Sequence, residues 1–539
     1  MKNKFELLRV CIAGICLIAL LAMDARAQDG NLESVSEIDG ITNPKTGPTE
    51  EPELRQLFLP GPKADLDASR SVHTTISSQG TLNFELLNQL QRGSRFEVEL
   101  AGEKYQAFVE VSKTQMYGLT VKGILAETPG SFFTISTEGE FAAGAFLLSR
   151  GRMFHLSYGG AKGVHYLAES SEPRGRCRLT GVAAAPEDGK RLNDGVQKLA
   201  GPRDLRNQAN EGIEKSDTPA TANATSNSCA AIPPVQFDIA MAYTRAARIR
   251  VGATAAIRTE CMTAVTMAEE TFQNSGLSIQ VNLVGLAEVN YNENPTMDQD
   301  LEELVDGIGA LQQARDLRTN TGADFLALVV SEGEPTTGGV FLGIATCPHF
   351  PGLPSRFWFD YSSVNAVRRT ASESLNTLMG TLVHEMGHNV GCGHTSGACD
   401  PTRPNARGLS TSTFQTIMGD EGPADRISNF SNPNVLYQGN ATGTASRNNV
   451  SVISRRERVI ESSMDSRLNV FVDLGASGSE NGSFQNPFDT VLEGVNQTLP
   501  NPVADLPELQ IRAGTYNESL IITKPMIIKS CGGTATIGN

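Results

Sequence analysis

Three of the chain's seven histidines fall inside one eleven-residue stretch, His384-Glu385-Met386-Gly387-His388-Asn389-Val390-Gly391-Cys392-Gly393-His394. At helical pitch His384 and His388 are one turn apart on the same face, so both imidazoles can reach a single ion. A third ligand cannot leave the same helix at that angle, so the chain must turn back. Gly391 can take the left-handed conformation that ends a helix, and His394 then arrives on the returning chain. Neutral imidazoles are good zinc ligands, and three of them leave the fourth tetrahedral position open to water. Zinc brings the pKa of such a water to about 7 and polarises a carbonyl oxygen. The chemistry this implies is attack of zinc-bound water on a peptide carbonyl. Glu385, beside the first ligand, is the expected general base, and later the acid that protonates the leaving amine.

Elements able to position such a site surround it. Val235-Gln236-Phe237-Asp238-Ile239-Ala240-Met241-Ala242-Tyr243 reads as a central strand. Ile257, Cys261, Ala264, Val265, Ala268 and Phe272 then recur at helical spacing and form a stripe that packs on a sheet. A strand around Leu277 to Val284, an acidic helix from Asp298 to Leu317 and a strand from Asp324 to Val330 follow. Strands alternating with helices make an α/β domain.

The zinc motif is that of the metzincin endopeptidases, and the resemblance extends past it. Gln415-Thr416-Ile417-Met418-Gly419 looks like the family's Met-turn, in which a methionine forms an apolar floor beneath the metal. Phe430-Ser431-Asn432-Pro433-Asn434-Val435, with Gly439, Gly443 and Asn448-Asn449, resembles the sequence after the Met-turn in bacterial reprolysin-like peptidases of the M12 type. Thr395 departs from the pattern, standing where reprolysins carry Asp after the third histidine. The resemblance implies a mixed twisted sheet with an active-site helix, one catalytic Zn2+ and a polypeptide substrate. It also makes Gly339, Val340, Phe341, Leu342 and Gly343 part of an edge strand over the cleft, where an extended peptide can dock by strand addition.

Met1 to Ala27 reads as a signal peptide: basic residues, an apolar run from Val10 to Met23, and Ala25-Arg26-Ala27 as a cleavage site. The run is short for a bilayer span, and no later segment is apolar enough for one, so a secreted, soluble product is expected. A formal charge of −15 argues against nucleic acid as a partner. Bound Ca2+ is compatible with that acidity, but no loop motif marks a site for it. Of nine cysteines, seven lie beyond the signal. Cys392 and Cys399 are near enough to pair, and either can join Cys347.

Composition divides the rest. Residues 28–75 are polar and expected to be a disordered leader. Residues 76–200 carry alternating runs, Phe96 to Leu100, Tyr105 to Val111, Ser131 to Ile135 and Met153 to Leu156, that read as an antiparallel meander. This β-rich stretch is placed as a pro-region would be. Residues 201–234 read as a cleavable linker, with maturation there or near Lys190-Arg191. Cys177, flanked by Arg176 and Arg178, precedes the linker; flanking arginines favour a thiolate, and a thiolate can fill the open zinc position. Reprolysins and matrixins use such a cysteine switch. Residues 235–465 form the peptidase domain. Residues 466–539 contain short β-branched pieces, Val470 to Asp473, Leu509 to Ile511, Leu520 to Ile522, Met526 to Ile528 and Ala535 to Gly538, that resemble the first coils of a pectate-lyase-type β-helix. Such folds often contact polysaccharide. The alternative function is therefore a catalytically inactive, peptidase-like surface protein with a carbohydrate-binding β-helix segment.

Overall fold

A computed structural model describes residues 54–59, 74–115, 117–126, 128, 130–148, 152–170, 176–179, 234–336, 339–348, 360–368, 377–400, 402–420, 426–464, 467–498 and 506–538. The signal segment, most of the leader, Lys190-Arg191 and residues 201–233 lie outside them. No helix among the described residues is long and apolar enough to cross a membrane.

The N-terminal runs form β1 (Thr74–Thr81), a short helix α1 (Phe84–Gln89), β2 (Arg95–Leu100), β3 (Glu103–Gln115), β4 (Gly118–Leu125), β5 (Phe132–Glu138), β6 (Phe141–Leu147), β7 (Met153–Tyr158) and β8 (Val164–Ser170). From β2 to β8 each strand pairs antiparallel with the next, as a meander must, and β1 returns to pair with β8. Period-two alternation puts Phe96, Phe133, Phe146 and Phe154 on one face, all fully buried. The disordered-leader expectation fails at residues 54–59. Leu57 is 1% exposed in that core, and its amide donates to Glu97 O at 2.9 Å; one large aliphatic side chain in a polar stretch is enough to bring the backbone onto the sheet.

After β8 come β9 (Arg176–Leu179), β10 (Val235–Thr244), α2 (Arg245–Val251), α3 (Thr254–Asn274) and β11 (Ile279–Val289). The chain continues through α4 (Met297–Asp306), α5 (Gln312–Thr321) and β12 (Phe325–Glu332). The single acidic helix expected there is two, because Gly307 closes α4 in the left-handed region at φ 66°. Then come β13 (Glu334–Thr336), β14 (Gly339–Ala345), β15 (Ser362–Arg368) and α6 (Leu378–Asn389). The sheet order is β11-β10-β12-β15-β14-β13, with β14 antiparallel to β15 and the first four strands parallel. The α3 stripe read from Ile257 to Phe272 is wholly buried against this sheet. The opposite side of α3 meets the N-terminal sheet: Thr263 donates to Ala143 O at 3.1 Å, Lys122 pairs with Glu269 at 2.9 Å and Arg258 with Glu138 at 2.9 Å.

After α6 the chain makes a two-strand hairpin of β16 (Leu436–Tyr437) and β17 (Asn440–Ala441), then α7 (Val450–Glu461). The C-terminal part holds β18 (Asn469–Val472), α8 (Val491–Gln497), β19 (Glu508–Tyr516) and β20 (Ile527–Ile537). The three strands pair in parallel around Val470, Val472, Leu509 and Ile511. Two of the expected short strokes, Met526 to Ile528 and Ala535 to Gly538, merge into β20. Leu520 to Ile522 forms no strand, and Ile521 is 89% exposed.

Candidate metal centre

Helix α6 runs through the interior: Leu378, Leu382, Val383 and Met386 are buried together with His384, Glu385, His388 and Asn389. Its C-terminus turns at Gly391, φ 100°, where Gly391 N donates to His388 O at 2.9 Å and Cys392 N to Gly387 O at 2.8 Å. This is the reversal the motif requires. The returning strand is held by Gly393 N to Ala406 O at 2.7 Å and Gly408 N to Gly393 O at 2.9 Å. His394 is thereby carried back over the helix. Of the cysteine pairings left open by spacing, Cys347–Cys399 forms, tying the end of β14 to the loop after His394, while Cys392 stays a buried thiol.

The three imidazoles converge. His394 Nε2 lies 3.0 Å from His384 Nε2 and 3.1 Å from His388 Nε2. Behind them, His384 Nδ1 meets Ile417 O at 2.7 Å and His388 Nδ1 meets Cys392 O at 2.8 Å. A carbonyl only accepts, so these Nδ1 atoms carry the protons and their Nε2 atoms present lone pairs. A proton on His394 Nε2 can serve only one of these two acceptors well, whereas a cation between the three nitrogens satisfies all of them. Ligands at about 2.0–2.1 Å from a tetrahedral ion stand roughly 3.3 Å apart, so a small expansion of the trio accommodates one. Burial holds all three rings in their neutral, ligand-competent form: His384 and His388 fall well below the usual imidazole range, and His394 falls to about 4. The neighbouring rings and Arg426 push His384 further in the same direction.

Glu385 is fully buried beside the trio. Strand β14 lies so close to it that a Cβ on Gly343 would stand 2.5 Å from Glu385 Oε1 and 2.7 Å from Thr381 Cγ2. Only glycine lets the strand run directly over the carboxylate. Asn389, on the turn after His388, donates to Thr346 O at 3.0 Å and Ser362 O at 3.0 Å, joining helix to sheet. Met418 is buried with its thioether against Gly387, and Ile417, whose carbonyl holds His384, is anchored by its own amide on Asn429 O at 2.8 Å. The predicted floor residue and the predicted ligands are thus neighbours.

Two placements differ from expectation. The strand carrying Gly339, Val340, Phe341, Leu342 and Gly343 is not a free edge: β15 lies on one side, and β13 with a further strand, β9 (Arg176–Leu179), on the other. β9 runs parallel to β14 and puts Cys177 in register with Gly343. Sequence reading also missed Asp420, which approaches His394 from two residues beyond Met418. Only folding of the Met-turn loop creates that contact.

Residues 234–431 match the family model Reprolysin_5, described as metallo-peptidase family M12. Over that stretch the chain is similar to the M12 metallo-peptidases. No curated protein matches the chain. Among solved structures, one titled as a chaperone-substrate complex is 20% identical with a TM-score of 0.33, covering 43% of this chain and 35% of its own. The present chain therefore spans about a third of that one. Metalloproteinase-II from Bacteroides fragilis is 11% identical with a TM-score of 0.31, covering 58% of this chain and 85% of its own. Within the matched stretch, His384, His388 and His394 form a triad that could hold a metal ion.

At the far end of the metallopeptidase sheet, two carboxyl groups are buried together. Asp238 N donates to Asp324 Oδ2 at 3.0 Å, and Asn282 donates to Asp238 Oδ1 at 2.9 Å. Beside them a cavity of about 10 Å³, lined in part by Gln236, Glu461 and Asn469, has room for one water or ion. Burial pushes Asp238 up to about 6, and burial together with the Asp238 charge pushes Asp324 well above the usual carboxylate range. The folded state therefore keeps protons that the unfolded chain releases near pH 4. Stability from this pair is present at low pH and is lost as pH rises through about 6, by on the order of 3 kcal/mol. Urea unfolding in the presence of a chelator should show this fall between pH 4.5 and 7, and Asp238→Asn should flatten it; an identical slope in the variant would refute the assignment.

Proposed function

We propose that the protein is a zinc-dependent endopeptidase, exported by its N-terminal signal and made as a zymogen. The observation that carries this reading is the convergence of three Nε2 atoms next to a buried glutamate. His384, His388 and His394 would hold the ion. Zinc bound there supplies a Lewis acid that acidifies water and polarises a carbonyl. Glu385 takes the proton from the attacking water and returns it to the leaving amine nitrogen. Strand β14 supplies main-chain N–H and C=O groups to align an extended peptide across the site. Met418 and Phe430 close the floor and exclude solvent from below.

Latency finds support in β9. A substrate strand and β9 compete for the same side of β14, so the chain upstream of the linker must leave before a peptide can dock. The register that sets Cys177 opposite Gly343, over Glu385, favours the cysteine switch. The alternative of an inactive carbohydrate-binding surface protein has less support, because such a protein has no use for a carboxylate beside the first ligand. Calcium can be tested at the acidic group Glu480, Asp489 and Glu493 and at the Asp238–Asp324 cavity, where added ion should favour the ionised pair and weaken the pH-dependent loss of stability.

Glu385→Ala should retain stoichiometric zinc while peptide hydrolysis falls by about 10²–10⁴-fold or more. If maturation is autocatalytic, the unprocessed form should accumulate. Metal analysis with a peptide-library digest reads both, and surviving activity would remove the mechanism. Cys177→Ala should activate at a lower threshold of protease or denaturant than the natural chain; unchanged latency would count against the switch.

A further inference from the structure

The three ligand rings are not held alike. His384 and His388 are locked from behind by neutral backbone carbonyls, Ile417 O and Cys392 O. His394 Nδ1 instead lies 3.5 Å from Asp420 Oδ2, a carboxylate. Asp420 is steadied by Ser396 Oγ, which donates to the same oxygen at 2.7 Å. Around this pair the loops are pinned: Thr395 Oγ1 contacts Ser410 Oγ at 3.0 Å, Arg447 donates to Thr395 O, and Arg426 donates to Gly419 O at 2.9 Å. Arg426 is also a positive charge acting on all three imidazoles. A divalent ion at the centre would therefore sit near a like charge, and Asp420 stands on the side where it can be offset.

The geometry points to Asp420 as the positioning residue of the third ligand: it accepts the Nδ1 proton of His394, which keeps the Nε2 lone pair aimed into the site, and its charge offsets Arg426. This deepens the metal-centre reading above and rests on it. The separation is longer than a hydrogen bond, but the Asp420 side chain is 24% exposed and can close it by rotation. An ion on Nε2 makes Nδ1–H a stronger donor, so ring and carboxylate strengthen one another, as carboxylate–histidine pairs do behind metal ligands. No protein side chain backs the other two ligands in this way among the described residues, so the outer support of His394 is the part of the centre that side-chain substitution can adjust.

The test uses the full chain, titrated with zinc against a chromogenic chelator, for the natural sequence, Asp420→Ala, Asp420→Asn and Ser396→Ala. Removing the carboxylate should weaken zinc binding by about 10–100-fold. Asn, which keeps an acceptor but not the charge, should lose less, and Ser396→Ala less again. The thermal midpoint of each zinc-free variant should stay at the natural value, and ring 15N spectra of the zinc-free protein should show His394 losing its Nδ1–H preference when Asp420 is absent. Zinc affinity within twofold of the natural chain in both Asp420 variants overturns the assignment, as does a loss matched by an equal drop in zinc-free stability. A natural chain that takes up no zinc overturns the metal-centre reading itself, a result distinguishable from either.

Discussion

The candidate metal centre rests on one electrostatic constraint. Three imidazole nitrogens crowd a common point in a buried site, two of them as acceptors, an arrangement that leaves a lone pair unsatisfied until a cation arrives. The protein maintains it by occupying the opposite nitrogen of two rings with backbone carbonyls, so that neither His384 nor His388 can relieve it by shifting its proton or turning. Burial adds to this by disfavouring charged rings, which would carry no lone pair for a metal.

That constraint explains the surrounding architecture. A ligand pair one turn apart needs a straight helix in the core, and the stripe of apolar side chains on α6 and α3 provides the packing. The third ligand needs a reversal, and Gly391 at φ 100° makes it. The carbonyl behind His384 belongs to the residue before Met418, so the turn under the site serves two ends: a greasy floor and an outer hydrogen bond. Strand β14 can approach only because Gly343 lacks a side chain. Each is a local choice consistent with the same geometry, the pattern expected of a sequence that specifies one structure.

Much of this was legible before any coordinates. The ligands, Glu385 and Gly391 lie in a motif whose spacing dictates placement, Met418 was placed by resemblance to the Met-turn, and the α3 stripe follows from its period. The α/β class followed from alternation of strand and helix. What could not be read depends on contacts between distant segments. Asp420 reaches His394 only through the fold of an irregular loop, and Asp238 meets Asp324 across neighbouring strands 86 residues apart. The side of β14 taken by β9 is joined by a segment more than 150 residues upstream, which no local pattern announces. Gly307 was visible in the acidic run, but its role as a stop needed the backbone angle.

The Cys347–Cys399 link spans 52 residues and encloses α6, all of its ligands and the reversal that follows. Closing a loop of that length removes chain entropy worth about 4 kcal/mol from the unfolded ensemble. The bridge thus adds a covalent brace to a return that Gly393 and Gly408 already hold through their backbone, so the third imidazole is fixed both by hydrogen bonds and by a bond that only reduction can release.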